Sequence, residues 1–297
     1  MNIKRLGAAV AAAVIAVSAV TVTAFAAGTR VPINEKYFPD ENFREYVKQF
    51  DTDGNGYLSQ KERDAVTKID VRHLYNNDDS RKIKSLRGIG YFSNLEVLYC
   101  AGNKIKKLNV SKNQKLETLY CGINELKAID MSQNINLIHF DCNGNKLKNL
   151  DVSKNTRLQE LGFAENYIET IDISKNKALT RLDCRDNKLS ELDVSLQPEL
   201  KELLCSNNNL LTLDMSKNKK IKLLECTDNK LTELNVNENK ELEIFYCFGN
   251  KLKKLDVSSI TYLWHFDCSR NDITELDISQ NKYIFEFNCD DNVKVIK

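Results

Sequence analysis

Several residue types that serve particular functions are scarce in this sequence of 297 residues. Three prolines and 11 glycines are too few for a collagen-like chain, and three histidines leave little material for histidine-based catalysis. Neither charge sign is in excess, because 43 basic residues face 42 acidic ones, and this balance argues against a nucleic-acid binder. Apolar residues at 42% and charged residues at 29% indicate a folded, soluble chain.

The first residues have the three parts of a secretory signal peptide. Lys4 and Arg5 give a positive start, an uncharged run follows from Leu6 to Val22, and Ala24 and Ala26 are the small residues of a cleavage site. We expect cleavage after Ala26 and an exported protein. An uncleaved membrane anchor is the alternative, although about 17 apolar residues are short for a hydrocarbon core of ~30 Å. No later segment is apolar enough for membrane insertion.

An internal repeat of 21 residues organises the rest of the sequence. One column of asparagines keeps this spacing over ten units without a slip, at Asn103, Asn124, Asn145, Asn166, Asn187, Asn208, Asn229, Asn250, Asn271 and Asn292. A cysteine stands three residues before each Asn, except where Phe163 replaces it. Within Thr118 to Gly122, Leu119 and Cys121 alternate with other residues, which is the pattern of a strand with one buried face.

The unit Leu-x-x-Leu-x-Cys-x-x-Asn-x-Leu, as in Leu116 to Leu126, resembles the leucine-rich repeat of short bacterial proteins. The resemblance implies a right-handed solenoid with a parallel β-sheet on its concave face. A unit of 21 residues leaves little or no room for a regular helix on the convex face. Stacked coils bury a continuous core that one coil cannot form alone. Inward-pointing Asn amides are expected to satisfy backbone groups of their own and the next coil.

All nine cysteines lie in the one repeat column. Export favours disulfides, and a metal cluster is a second alternative. Nine residues cannot all pair, and equivalent strand positions lie ~4.8 Å apart, wider than the ~3.8 Å between the Cβ atoms of a disulfide. A straight column also does not converge on an ion. We therefore expect buried free thiols that act as small packing residues.

A calcium site is predicted in the segment before the repeats. Phe43, Tyr46, Val47 and Phe50 lie at i, i+3, i+4 and i+7 and form one apolar face of a helix. The stretch that follows, residues 51–62, resembles an EF-hand calcium loop. The resemblance implies oxygen ligands from Asp51, Asp53, Asn55, the carbonyl of Tyr57, Ser59 and Glu62.

This ligand set contains only oxygen, which suits Ca²⁺ as a hard cation. Gly56 allows the sharp turn at the sixth loop position. Only one loop is present, whereas EF-hands usually work in pairs, and a turn that binds nothing is the alternative. We expect a structural site that locks a small helical cap onto the first coil, because terminal repeats otherwise expose core.

The outward strand positions lie six, four and two residues before each repeat Asn, and they vary between coils. Toward the C-terminal end these positions hold Leu204, Leu223, Ile244, Tyr246 and Phe248, and Trp264 stands at a strand edge beside them. Together these six residues predict a partner-binding patch. Scattered surface aromatics are the alternative. His139 with Asp141 lies six coils, ~29 Å, from His265 with Asp267, and Ser269 lies beyond Asp267 from His265. No catalytic site is expected.

These features predict a signal peptide at 1–26, a helical cap at 27–82 and a solenoid of about ten repeats at 83–297. The predicted function is a non-enzymatic, secreted or cell-surface module for adhesion or recognition. It binds a protein through the concave face and carries a structural Ca²⁺. The alternatives are a structural or assembly unit, with end-to-end self-association, and a glycan-binding surface protein. Neither nucleic acid nor membrane is expected as a partner.

Overall fold

The computed structural model describes residues 30–73 and 78–297. The predicted signal peptide at 1–26 lies outside the described residues. Within those two ranges, none of the helices has the length and apolar character needed to cross a bilayer.

Eleven short strands form one parallel sheet, with one strand from each coil. Neighbouring strands of this sheet follow one another in chain order. Its strands are β3 (Lys68–Asp70), β4 (Val97–Tyr99), β5 (Thr118–Tyr120), β6 (His139–Asp141), β7 (Glu160–Gly162), β8 (Arg181–Asp183), β9 (Glu202–Leu204), β10 (Leu223–Glu225), β11 (Ile244–Tyr246), β12 (His265–Asp267) and β14 (Glu286–Asn288). The fold is thus the solenoid that the 21-residue spacing predicts.

The strand register follows the repeat. Leu98 lies opposite Leu119, and Leu119 lies opposite Phe140. Equivalent residues of successive coils therefore form straight columns, some facing the core and some facing the concave side. The first strand, β3, precedes residue 83 and pairs with β4, so the sheet begins inside the segment assigned to the cap.

The cysteine column lines the core directly behind the sheet. All nine cysteines are free; eight of them are buried, and Cys289 is half-buried. Burial raises the pKa of Cys100 to about 12, so this thiol stays protonated and unreactive in the folded protein. Phe163 occupies the same column and is also fully buried. The prediction of buried free thiols is confirmed.

The repeat asparagines tie neighbouring coils together, and they are called the first ladder here. The Asn124 Oδ1 atom accepts a hydrogen bond from the N–H of Ile105 at 3.0 Å. The Asn124 Nδ2 atom donates to the carbonyls of Cys100 and Cys121 at 3.0 and 3.1 Å. Ile105 and Cys100 belong to the preceding coil, so the expectation of bonds to the next coil is wrong in direction.

A second ladder of buried amides lies on the other side of the core, and the repeat pattern did not predict it. The Nδ2 atom of Asn134 donates to the carbonyls of Val110 and Asn113, at 3.0 and 2.8 Å. Its members are Asn113, Asn134, Asn155, Asn176, Gln197, Asn218, Asn239 and Asn281. These amides satisfy carbonyls at the bends, where the backbone has no strand partner.

The convex side carries little regular structure. Beyond Tyr91, the described residues form no helix. Near the C-terminal end, β13 (Glu275–Asp277) and β15 (Lys294–Ile296) make a second, two-stranded parallel sheet. The prediction of little or no helix on this side is confirmed.

The cap closes the N-terminal end of the core. Helix α1 (Glu41–Val47) continues into a 3₁₀ turn at Lys48–Phe50, and the short helix α2 is Gln60–Asp64. Strand β1 (Val31–Pro32) pairs antiparallel with β2 (Tyr57–Leu58). The ring of Phe50 lies 5.4 Å from that of Phe92, so the predicted apolar face of α1 packs against the first coil.

Candidate functional site

The candidate calcium loop joins the 3₁₀ turn to α2. Gly54 and Gly56 have positive φ values of 68° and 80°, a conformation that a side chain would disfavour. The chain therefore reverses sharply and brings the start and the end of the loop close together. The second helix, α2, has only five residues.

Three predicted ligands converge in this loop. Asp51, Asp53 and Glu62 each offer a carboxylate oxygen, and these oxygens lie within 4.8 Å of one another. The N–H groups of Asn55 and Gly56 donate to the Asp51 carboxylate at 3.1 and 2.8 Å and fix its direction. Three clustered carboxylates repel one another unless a cation lies between them, so the donor set fits Ca²⁺.

The other three predicted ligands, which are Asn55, the Tyr57 carbonyl and Ser59, are not part of this carboxylate cluster. The Oδ1 atom of Asn55 accepts from the N–H of Tyr57 at 2.9 Å, and its Nδ2 atom donates to the Asp53 carboxylate at 2.7 Å. Ser59 donates its hydroxyl to Glu62 at 2.8 Å. All six residues stay predictions as Ca²⁺ ligands, and the carboxylate cluster supports three of them.

Glu62 holds the two ends of the loop together. One carboxylate oxygen accepts from the N–H and hydroxyl of Thr52, at 2.7 and 2.8 Å. The other accepts from the N–H and hydroxyl of Ser59, both at 2.8 Å. These bonds, those of Ser59 foremost, lower the pKa of Glu62 to about 2. Ser59 also caps α2, so the same residue holds the ionised Glu62 carboxylate and the start of the helix.

The concave face brings four of the predicted partner-binding residues together. Leu223 on β10 lies opposite Ile244 on β11, and Tyr246 and Phe248 follow Ile244 on the same face. All four side chains are half-buried. We call these four residues the concave patch.

Leu204 lies beside the concave patch but is only 6% exposed. Arg185 on one side and Glu225 on the other approach to 3.9 Å across β9, the strand that carries Leu204. The leucine therefore supports the face from below and offers little area to a partner.

Trp264 does not join the concave patch. It precedes β12, lies outside the outward strand positions and is 52% exposed. Its ring lies 6.3 Å from that of Phe285, and two residues earlier in each coil Tyr262 and Tyr283 stack with parallel planes at 6.4 Å. We call these four residues the lateral cluster. Its signal in the sequence is a pair of aromatic residues repeated after 21 positions.

The middle of the concave face is charged and internally paired. Arg185 donates to both carboxylate oxygens of Asp183, at 2.9 and 2.8 Å, and Arg181 pairs with Glu202 on the next strand. These ion pairs therefore occupy the concave side of the middle strands.

Asp141 occupies a recess that two glycines create. A Cβ atom on Gly122 would lie 2.7 Å from one Asp141 oxygen, and one on Gly162 would lie 3.1 Å from the other. The carboxylate accepts from the amide of Asn143 at 2.8 Å. Burial raises the pKa of Asp141 to about 6.

The histidine and serine residues of the concave face have separate partners. The Nδ1 atom of His265 lies 3.0 Å from Glu286, whereas the hydroxyl of Ser269 donates to Asp267 at 2.7 Å. In the part of the chain that the structure describes, these side chains form no serine–histidine pair. The arrangement is that of surface polar contacts.

Comparison with protein-family models and with curated proteins gives no match. Solved structures do match. The functional domain of InlJ from Listeria monocytogenes, which includes a cysteine ladder, superposes with a TM-score of 0.74 at 30% identity over 91% of this chain. This chain spans 63% of the length of that domain. The column of nine cysteines in the present chain is a comparable feature.

Two other solved structures share the fold at lower identity. An internalin of Listeria monocytogenes, inlF, is 18% identical, with a TM-score of 0.55 over 91% of this chain and 98% of its own. A leucine-rich repeat protein of Leptospira interrogans is 21% identical, with a TM-score of 0.68 over 80% of this chain and 69% of its own. The chain therefore has the leucine-rich repeat fold, as the resemblance of its repeat unit implies.

Proposed function

We propose that this protein is a secreted or cell-surface recognition module that binds a protein ligand on its concave face. The observation that carries the proposal is the concave patch. Four apolar side chains stand next to one another on adjacent strands, where they are accessible to a partner. Apolar and aromatic residues grouped in this way are typical anchors of protein interfaces.

The rigidity of the sheet supports this role. The strands that carry the patch are fixed by backbone pairing and by the first ladder, in which Asn229 and Asn250 donate to carbonyls of neighbouring coils at 3.0 Å. A partner that binds a preformed surface loses little free energy to ordering it.

Ca²⁺ has a structural role in this proposal. The loop 51–62 lies between α1, which covers the first coil, and α2. An ion held by Asp51, Asp53 and Glu62 would remove their mutual repulsion and fix the cap on the solenoid. Export rests on the signal-like residues 1–26 and is part of the same proposal.

The proposal is tested by affinity capture with the mature protein, residues 27–297, from extracellular and cell-surface extracts with calcium present. A Tyr246→Ser, Phe248→Ser variant removes the centre of the concave patch. A Tyr262→Ser, Tyr283→Ser variant changes the lateral cluster and serves as the matched control. We expect a protein that the parent and the control retain and the patch variant loses, with unchanged unfolding temperatures. Identical retention by the parent and by both variants would refute recognition through the concave patch.

Glycan binding is the second candidate, and the lateral cluster favours it. Tyr262, Tyr283 and Phe285 are 64%, 68% and 79% exposed, and flat exposed rings offer faces to sugar rings. The control variant tests this function directly. Retention of the parent on a polysaccharide, with loss in the Tyr262→Ser, Tyr283→Ser variant, would establish it, and equal behaviour on every polysaccharide would exclude it.

A further inference from the structure

The concave patch lies in a region of one charge sign. In β9, β10, β11, β12 and β14, the outward positions hold neither Lys nor Arg. They hold five carboxylates instead, from Glu202, Glu225, Asp267, Glu286 and Asp290. The whole chain is nearly neutral, so the negative charge is concentrated here and does not reflect the composition.

We propose that the segment bound by the concave patch is basic: an extended stretch of a partner protein in which Lys or Arg side chains flank aromatic or aliphatic ones. This inference rests on the proposed function and specifies its partner. The apolar side chains of the segment cover the patch, and its cations meet the carboxylates around it.

The strand register places carboxylates on both sides of the patch centre. Tyr246 lies opposite Glu225 on β10 and opposite Asp267 on β12. Neighbouring strands are ~4.8 Å apart, so a cation beside the tyrosine ring is within reach of a carboxylate on either side. A bound segment that crosses the strands thus meets carboxylate, aromatic ring and carboxylate in order.

Glu202 is paired with Arg181, whereas the arginines nearest to the patch centre make their main contacts with other residues. Arg185 approaches Glu225 to 3.9 Å, but it donates both of its strong hydrogen bonds to Asp183. Arg270 lies at the rim, 3.2 Å from Asp228 and 5.9 Å from the ring of Phe248. Neither arginine neutralises Asp267. The face therefore keeps a negative potential that a basic partner would complement.

The negative potential also affects the hydroxyl of Tyr246. Burial first, and then the carboxylates Glu286, Asp267 and Glu225, raise the pKa of the Tyr246 hydroxyl. Three carboxylates from three neighbouring strands thus act on the centre of the concave patch. The same field favours any cation that approaches the ring face, and an aromatic face adds a further attraction for Lys or Arg.

The first experiment uses a random linear peptide library of about 12 residues, displayed on phage and selected on the mature protein with calcium. Selection on the Tyr246→Ser, Phe248→Ser variant runs in parallel and identifies peptides that need the patch. We expect these peptides to combine aromatic or aliphatic residues with Lys or Arg. Patch-dependent peptides without basic residues would overturn the inference and leave the proposed function standing. A selection that yields no patch-dependent peptide would overturn both.

The second experiment measures the charges directly, with one selected peptide and fluorescence anisotropy. The variant Glu225→Gln, Asp267→Asn keeps the shape of both side chains and removes their charge. We expect its Kd to rise about tenfold at low salt and to depend less on salt than that of the parent. Glu160→Gln, on the same face but four strands from the patch centre, is the matched control. Equal affinity and equal salt dependence in the double variant and the parent would overturn the inference.

Discussion

The side chain of Asn208 accepts a hydrogen bond from the N–H of Leu189, 2.9 Å away in the preceding coil. The same amide donates to the carbonyls of Cys184 and Cys205, at 3.0 and 3.1 Å. One buried side chain thus satisfies backbone groups of two coils at a bend where no strand pairing exists. The adjacent residue, Asn209, has no such role.

Replacement of Asn208 by Ala should therefore destabilise the solenoid strongly. The change leaves the buried N–H of Leu189 without a partner and removes one of the two amide donors of the Cys184 and Cys205 carbonyls. We expect a loss of about 2–4 kcal/mol in the free energy of unfolding. Urea denaturation followed by circular dichroism measures it. Asn209→Ala is the neighbouring control and should change stability by less than about 0.5 kcal/mol. Similar losses in both variants would show that the ladder bonds contribute little.

Calcium should bind once per chain and stabilise the cap. Isothermal titration calorimetry of the metal-free protein should give one site. Calcium should raise the unfolding temperature, and the free energy of unfolding should rise by about 2.7 kcal/mol at a calcium concentration of one hundred times the Kd. Glu62→Gln removes one of the clustered carboxylates and should abolish both effects. Glu45→Gln alters an exposed glutamate of α1 and should leave binding intact. Absence of a calcium signal in the parent would refute the metal site.

Asp141 should make stability depend on pH. Its pKa of about 6 in the folded protein exceeds the ordinary value of 3.8, so the folded state holds the proton more tightly. This contribution to stability is complete below about pH 4 and is lost as pH rises through about 6. In the Asp141→Asn variant this contribution is absent. The unfolding free energy at pH 4 relative to pH 7 should therefore be lower than in the parent by on the order of 2 kcal/mol.

Asp151 provides the control of opposite sign. Hydrogen bonds from Ser153 lower the pKa of Asp151, so its contribution is lost as pH falls. Asp151→Asn should leave the change between pH 5 and 7 as it is in the parent. Urea midpoints over the pH series compare the three proteins, and an unchanged slope in Asp141→Asn would contradict the assigned environment of Asp141.

The thiols should be inaccessible until the chain unfolds. Eight cysteines are buried and Cys289 is half-buried, so a thiol-specific reagent should modify at most Cys289 in the native protein. All nine should react in denaturant without reductant, because none is paired. Cys289→Ser should leave no thiol that reacts in the native state. Fewer than nine reactive thiols in the unfolded parent would show that disulfides are present.

The repeat spacing predicted the sheet because a solenoid places equivalent residues in straight columns. Once Leu119 and Cys121 are assigned to the buried side of a strand, every other coil follows by steps of 21. The carboxylate cluster of the loop 51–62 was predictable for a similar reason. Asp51, Asp53 and Glu62 are close in sequence, and the turn between them is set by glycine.

The details that the sequence did not predict depend on contacts between coils. Leu204 occupies an outward position, yet an ion pair formed by residues of the two flanking strands covers it. Trp264 stands one residue before its strand begins, where alternation no longer determines which way a side chain points. Members of the second ladder, such as Asn155, resemble ordinary turn residues until the carbonyls of the adjacent coil are known.

Because the two ladders share one register, a whole coil is the unit in which the chain can gain or lose residues and still fold. Loss or duplication of any whole stretch of 21 residues would leave each amide opposite an equivalent carbonyl, whereas a change of any other length would break both ladders at once. Insertions and deletions would therefore change the length of the rod in steps of ~4.8 Å, and chains with an intermediate length would not fold. The distance between the charged middle of the concave face and the concave patch would change in the same steps.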